Sequence, residues 1–302
     1  MDPLSDVLSL LKPRNYTAAA LEAGGDWAIA FPRYAGIKCN AVVAGACWLD
    51  AEGLAAPLRL EAGDCFLLPR GVPFRLASDL ALKPLDAGAL FPPARPGGIV
   101  TCNGGGDFAM LGSRFLISGR HADLLLGMLP PVLLIRKAED RDTLRWAIET
   151  IRAELREARP GGAVVATHLA HMMLVLVLRI YLADGAAQAQ AGWLSALADR
   201  HIGTAIGLMH ADPAKRWTLA ELATHVGLSR TIFATRFKER VGMGAMEYLL
   251  RWRMLLAGDR LAQSDATISK VAASLGYDSD SAFGAAFKRV MGVSPRQYSR
   301  AE

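Results

Sequence analysis

Arg230, Thr231, Ala234 and Thr235 are spaced to share one face of a helix, and Arg236, Lys238 and Arg240 follow within a turn or so. Hydroxyls and methyls in that arrangement can meet base edges in a DNA major groove, while guanidinium and ammonium groups pair with phosphates. Fifty residues on, Asp280, Ser281, Gly284 and Ala285 fall on the matching face, with Lys288 and Arg289 behind them. Thr and Ala can touch a thymine methyl, yet neither makes the bidentate contact that Arg makes to guanine. Asp280 repels phosphate unless it accepts a hydrogen bond from a cytosine amino group. The second set is therefore expected to add affinity and register more than specificity.

These residues are positioned by a pattern written twice. Leu219, Leu222, Ala223, Val226, Gly227, Phe233, Phe237, Lys238, Gly242 and Tyr248 return as Ile268, Val271, Ala272, Leu275, Gly276, Phe283, Phe287, Lys288, Gly292 and Tyr298. The offset is 49 through the first helix and 50 through the second, so one added residue falls in the turn between them. Such a repeat implies two copies of one structural unit, here a helix-turn-helix that presents its second helix to a groove. Thr218 with Glu221 three residues later predicts a capping box, Gly227 a turn at positive φ, and Ser229 the cap of the second helix. Phe233 and Phe237, four apart, must face inward. Ala245–Gln263 reads as one long helix that fixes the separation of the two units.

The chain has 302 residues, 52% hydrophobic and 21% charged, which suits two domains with real cores and excludes extensive disorder. Its net charge of +5 is uneven. Residues 193–302 hold 15 Lys+Arg against 10 Asp+Glu, whereas residues 1–192 hold 19 of each, so the whole excess lies with the repeat. Cys39, Cys47, Cys65 and Cys102 lack zinc spacing and read as reduced thiols. The N-terminus lacks the basic start and cleavage site of a signal peptide. Ala163–Ala183 is the one stretch that resembles a membrane span, but it carries His168, His171 and Arg179. A cytoplasmic, nucleoid-associated protein with no membrane partner is expected.

Residues 1–135 hold short β-type runs between Gly-rich turns, which predicts a small antiparallel barrel or sandwich. Residues 136–185 turn helical. Leu144, Ile148, Ile151 and Leu155 form one apolar stripe, ended by Arg159-Pro160-Gly161-Gly162. The next helix has two, Val165, Leu169, Met172, Leu176 and Ile180 on one side and Val164, His168, His171, Val175, Leu178 and Leu182 on the other. A helix apolar on two faces is buried on both, so it is read as a dimerisation helix, with a helix wholly inside one domain's core as the competing reading. Residues 186–192 form a small-residue linker, and 193–302 open with a helix from Trp193 to about His210. His168 and His171 are expected to be packed or interfacial, and His121, His201, His210 and His225 form no constellation.

The segment from Trp217 to Arg300 resembles the DNA-binding domain of the AraC/XylS family of bacterial transcription regulators. The resemblance is carried by Gly276-Tyr277-Asp278-Ser279, Ala282-Phe283, Phe287-Lys288-Arg289 and Gly292-Val293-Ser294-Pro295-Arg296-Gln297-Tyr298. That family usually has a polar or basic residue at Ala285 and often Arg at Thr235, so the resemblance implies weaker base readout here. The N-terminal part is similar to the cupin-like sensor domain of one branch of the family. It shares the opening Asp2-Pro3-Leu4-Ser5-Asp6-Val7-Leu8 and the run Gly63–Phe74. In that run Phe74 takes the histidine slot of the second cupin motif, and the first motif's slots fall near Lys38-Cys39-Asn40. A metal centre needs imidazole and carboxylate ligands, so neither metal, cofactor nor catalysis is expected.

The fold expected is thus α+β and multidomain: an antiparallel cupin-like β-barrel, a helical dimerisation segment and an all-α double helix-turn-helix. The expected function is a sequence-specific transcription regulator whose N-terminal domain senses a small molecule or a redox signal. Trp48, Phe74 and Cys102 are the candidate effector or redox residues, and Trp27, Phe31 and Phe66 could join them around a pocket. Double-stranded DNA, a second copy, a small effector and, for an activator, RNA polymerase are the expected partners. A metal-free cupin enzyme and a ligand-independent architectural DNA-binding protein are the alternatives.

Overall fold

Period-2 burial along the first part of the chain builds two sheets that share one core. The computed structural model describes residues 2–11, 13–91, 98–117, 126, 129–136, 141–157, 159–183, 192–262 and 267–300. The Gly185–Gly192 linker, except Gly192, and His121 lie outside them. The chain divides into two compact units: residues 13–118 with 129–183, and residues 1–12 and 119–128 with 184–302.

In the first unit the strands are β1 (Pro13–Ala23), β2 (Ala28–Phe31), β3 (Ile37–Ala44), β4 (Ala46–Ala51), β5 (Leu58–Glu61) and β6 (Cys65–Leu68). They continue with β7 (Phe74–Ala77), β8 (Leu85–Asp86), β9 (Ile99–Cys102), β10 (Phe108–Ile117) and β11 (Leu133–Ile135), and the short helix α2 (Ala87–Leu90) follows β8. One sheet has the order β11-β6-β3-β10-β1-β9 and the other β5-β4-β7-β2-β8. Leu21, Val42, Phe66 and Met110 from the first and Ile29, Leu49, Leu60 and Leu76 from the second meet in one buried cluster.

The expected closed barrel is corrected to two separate sheets. Each sheet ends on a strand that joins parallel, β9 on β1 and β8 on β2, so the antiparallel ladder does not run on around the rim. The chain passes from β3 to β4 through Gly45, at φ 73°, where a Cβ would lie 2.3 Å from the Asp107 carbonyl oxygen.

Helices α3 (Arg141–Glu157) and α4 (Gly162–Ala183) pack together, and α4 also lies against β1, β6 and β11. Leu144, Ile148 and Ile151 are buried as their spacing predicts, and the Leu155 side chain lies outside the described ones. On α4 the buried residues include Ala166, Ala170, Met173, Leu174, Val177, Leu178 and Tyr181, of which the expected stripes contain Leu178 alone. Val164 and Val165 are exposed instead. Two alanines let the backbone approach its neighbours closely, an advantage that a search for bulky apolar residues passes over. By length and composition α4 could cross a membrane; in this unit it packs on α3 and three strands and exposes His168 and Arg179.

The second unit is helical: α1 (Pro3–Leu11), α5 (Trp193–Ala198), α6 (Arg200–Ala211), α7 (Leu219–His225), α8 (Arg230–Val241) and α9 (Ala245–Ala262), then α10 (Ile268–Ala273), α11 (Asp280–Met291) and α12 (Pro295–Ser299). The single helix expected from Trp193 to His210 is two. Asp199 breaks it, turning extended and accepting from the N–H groups of His201 and Ile202 as the cap of α6. Although α1 opens the chain, it packs on α6 and α9.

Candidate functional site

Both helix-turn-helix units are assembled by the same local devices. Thr218 accepts from the Glu221 N–H while Glu221 accepts from the Thr218 N–H, closing the capping box at the start of α7. Gly227 turns the chain at φ 70°, Ser229 caps α8, and Gly242 ends it in the left-handed region. In the second copy Thr267 caps α10, Gly276 turns at φ 79°, Ser279 caps α11, and Gly292 ends it. Between Gly276 and Ser279 sits the one extra residue.

The interiors match too. Phe233 and Phe237 lie 5.6 Å apart between ring centroids, and Phe283 and Phe287 lie 5.7 Å apart; all four are fully buried. Tyr248 meets Phe237 edge-on at 5.8 Å, and Tyr298 meets Phe287 edge-on at 5.4 Å. Helix α9 serves both cores. Its Tyr248, Leu249 and Trp252 are buried near the first unit, while Met254, Ala257 and Leu261 join the cluster of Phe283 and Phe287.

A buried polar chain braces the first unit. The Trp193 indole N–H donates to the Tyr248 hydroxyl at 2.7 Å, and that hydroxyl bonds His210 Nε2 at 2.7 Å. His210 Nδ1 lies 3.3 Å from Asp6 of α1, and the ring stacks on Trp252 at 3.7 Å. Burial holds the imidazole neutral by pushing its pKa down to about 3. A neutral ring fits the chain of bonds, with Nδ1–H donating to Asp6 and Nε2 accepting from Tyr248.

On the outer faces Arg230, Thr231, Thr235 and Lys238 are exposed, and Ala234 is half-buried beside them. Arg236 behaves differently from expectation. Its Nε donates to Asp199 Oδ2 at 2.8 Å, and Arg240 Nε stands 3.5 Å from the same oxygen. Burial works against the Asp199 charge, but the Arg236 hydrogen bond and the N–H groups of Ile202 and His201 hold the carboxyl below its usual range. Arg236 thus ties α8 to the α6 cap. The sequence spacing missed this because Asp199 was read as the interior of a helix. Ile232, 56% exposed at the start of α8, is an apolar surface residue that the polar pattern had hidden.

In the second unit Asp280, Ser281, Ala285, Lys288 and Arg289 are exposed and Gly284 is half-buried. Asp280 accepts from the Ser269 hydroxyl of α10, which occupies part of its acceptor capacity. The face is flat: beyond the last carbon of Ala285 and the bare backbone of Gly284, only Ser281 offers a neutral polar group.

The effector candidates separate. Phe74 lines a cavity with Phe31 in the two-sheet unit, whereas Trp48 lies on the other side of its strand, under Arg59 at 5.4 Å. Trp27 packs on Phe108 at 4.7 Å, and Phe66 is wholly core. Cys102 is buried at the end of β9, outside the cavity lining. Burial pushes the Cys47 thiol up to about 12 and raises Cys39 further, so both are held as inert thiols.

Tandem helix-turn-helix corners on one connecting helix define a DNA-binding protein, in a chain that also carries a two-sheet unit. A Cupin family model matches residues 2–183, and a Helix-turn-helix domain model matches residues 222–301. The chain is 42% identical over 301 residues to a Streptomyces lividans protein described as an AraC-like transcription regulator, covering 99% of this chain and 98% of that one. It is 42% identical, again over 99% of each chain, to a protein of the same description from Streptomyces antibioticus. At 27% identity it matches the HTH-type transcriptional regulator MtrA of Neisseria gonorrhoeae over 99% of this chain and 98% of that one. The chain belongs to the AraC-like transcription regulators: a DNA-binding regulator with a cupin-type N-terminal domain.

Proposed function

We propose that this regulator is a cytoplasmic, non-enzymatic homodimer that reads DNA sequence mainly through α8 and uses α11 for register and affinity. The observation that carries this reading is the contrast between the two outer faces. Arg230, Thr231 and Thr235 stand exposed on α8, where α11 offers Asp280, Ser281 and Ala285. Lys238 in the first unit and Lys288 with Arg289 in the second supply phosphate contacts, which position the protein without reading sequence. The exposed Val164 and Val165 of α4 supply apolar surface for a second copy. The two-sheet unit senses a small molecule whose unequal affinity for two arrangements of the dimer shifts DNA binding. As an activator it would also meet RNA polymerase.

Capture of sheared genomic DNA on the purified full-length protein tests this reading. Enrichment of a few promoter fragments that share a two-part site is the expected result. Uniform capture that vanishes with salt would contradict it, since phosphate contacts alone give that behaviour.

A further inference from the structure

The cavity of the two-sheet unit, about 350 Å³, has a polar end lined by Lys38, Asn40, Ser113 and Arg114, with no carboxylate among the described residues of its lining. The register explains how. Period 2 along β3 puts Lys38 and Asn40 on the inward face, and β10 sets Arg114 opposite Lys38 and Gly112 opposite Asn40. Ala19 of β1 lies across from Gly112. The space exists because these two positions are small; a Cβ on Gly112 would come within 3.0 Å of Asn40 Oδ1.

The Lys38 ammonium lies 4.4, 4.6 and 4.7 Å from the ring centroids of Phe31, Tyr34 and Phe74. Burial and then Arg114 lower its pKa to about 8. Among the described residues, neither Lys38 nor Arg114 has a carboxylate partner. Asn40 is 4% exposed, and its Nδ2 is buried with no hydrogen-bond acceptor. Burying a donor without an acceptor is costly, so such a group favours a ligand that supplies one. Tyr34 already gives its hydroxyl proton to the Leu68 carbonyl at 2.8 Å. Two cations and an unmet amide donor thus face a space with aromatic walls.

We propose that this cavity is a binding site for a small organic carboxylate, with the anionic head held by Lys38 and Asn40 beside Arg114 and the apolar body against Phe31, Tyr34 and Phe74. The proposal rests on the sensing reading above and names the class of molecule sensed. A neutral ligand would leave the buried ammonium uncompensated, and a metal ion would meet cations where it needs acceptors. Inorganic phosphate would gain the charge but waste the aromatic walls. Residues that stand in the histidine slots of the cupin motifs, Lys38, Asn40 and Phe74, therefore form the site themselves.

Calorimetry on the full-length protein decides the matter, using phenylacetate, phenylacetamide and phenethylammonium, the straight-chain carboxylates from acetate to octanoate, and inorganic phosphate. At least one carboxylate is expected to bind, with phenylacetate at least tenfold tighter than its amide and no heat from the amine. Lys38→Met should abolish binding and Asn40→Leu should weaken it, while Lys38→Arg retains part. Equal binding of acid and amide, preference for phosphate, or silence across the carboxylate series would each overturn the proposal, and these comparisons need no variant to fold. Adding the same carboxylates to captured promoter DNA separates the two readings. Binding in the cavity with unchanged DNA affinity would support the site and overturn the sensing role.

Discussion

The two helix-turn-helix units share an interior and differ on the outside. Their phenylalanine pairs, edge-on tyrosines, threonine and serine caps and left-handed terminal glycines superpose in kind and nearly in distance. Their reading faces have little in common beyond a lysine. Packing demands fix the inner residues because a buried aromatic has few replacements that fill its space. The outer residues answer only to the DNA they meet. The frame is thus the same in both copies, while the exposed polar residues on it differ.

The largest effects should fall on the shared interior and fall equally. Phe233→Ala and Phe283→Ala should each cost about 3–5 kcal/mol in chemical denaturation, the usual loss for a fully buried phenylalanine. A difference of several kcal/mol between them would break the equivalence of the frames. The turn glycines should separate the units. Gly227 has open space around a Cβ, whereas a Cβ on Gly276 would lie 2.0 Å from the Ala214 carbonyl oxygen. Gly227→Ala should therefore cost only the left-handed penalty of about 1–2 kcal/mol, and Gly276→Ala distinctly more. Equal melting temperatures for the two variants would contradict this.

A smaller and pH-dependent effect belongs to the first unit alone, because the chain has no histidine after His225. His210 binds its proton at about pH 3 when folded and near its ordinary 6.5 when unfolded. The unfolded state then holds more protons between those values, so stability is full above pH 6.5 and falls as pH drops through that window. The loss between pH 7 and pH 5 should be about 2 kcal/mol. His210→Gln should flatten this part of the stability curve; an unchanged slope would show that other groups produce it.

Much of this was legible in the sequence because the repeat supplied its own control. Thr218, Ser229, Gly227 and the phenylalanines do what capping and spacing rules require of them, so the frame followed from residue types alone. Where partners come from distant strands or other helices, the sequence was silent. Arg236 was expected at phosphate, and no local pattern announces its bond to Asp199, 37 residues earlier. The face of α4 that packs includes Ala166 and Ala170, which carry little weight in an apolar count. The sheets fail to close because of two parallel edge pairings that no local pattern announces. Lys38 stood out only as a missing histidine, since its aromatic cage comes from two other segments, Phe31 with Tyr34 and Phe74.

The central claim, that α8 reads sequence while α11 mainly holds register, is tested most directly by selection from a random DNA library. The proteins to compare are the wild type, a Thr231→Ala/Thr235→Ala variant, a Ser281→Ala variant and Lys238→Ala. The first variant should lose preference at a few adjacent positions in one half of the site, each worth about 1–3 kcal/mol or less. Ser281→Ala should leave the selected sequence unchanged, and Lys238→Ala should weaken all sequences alike while lowering the salt slope by about one. Loss of preference in the other half on Ser281→Ala, with none on changing Thr231 and Thr235, would contradict the account.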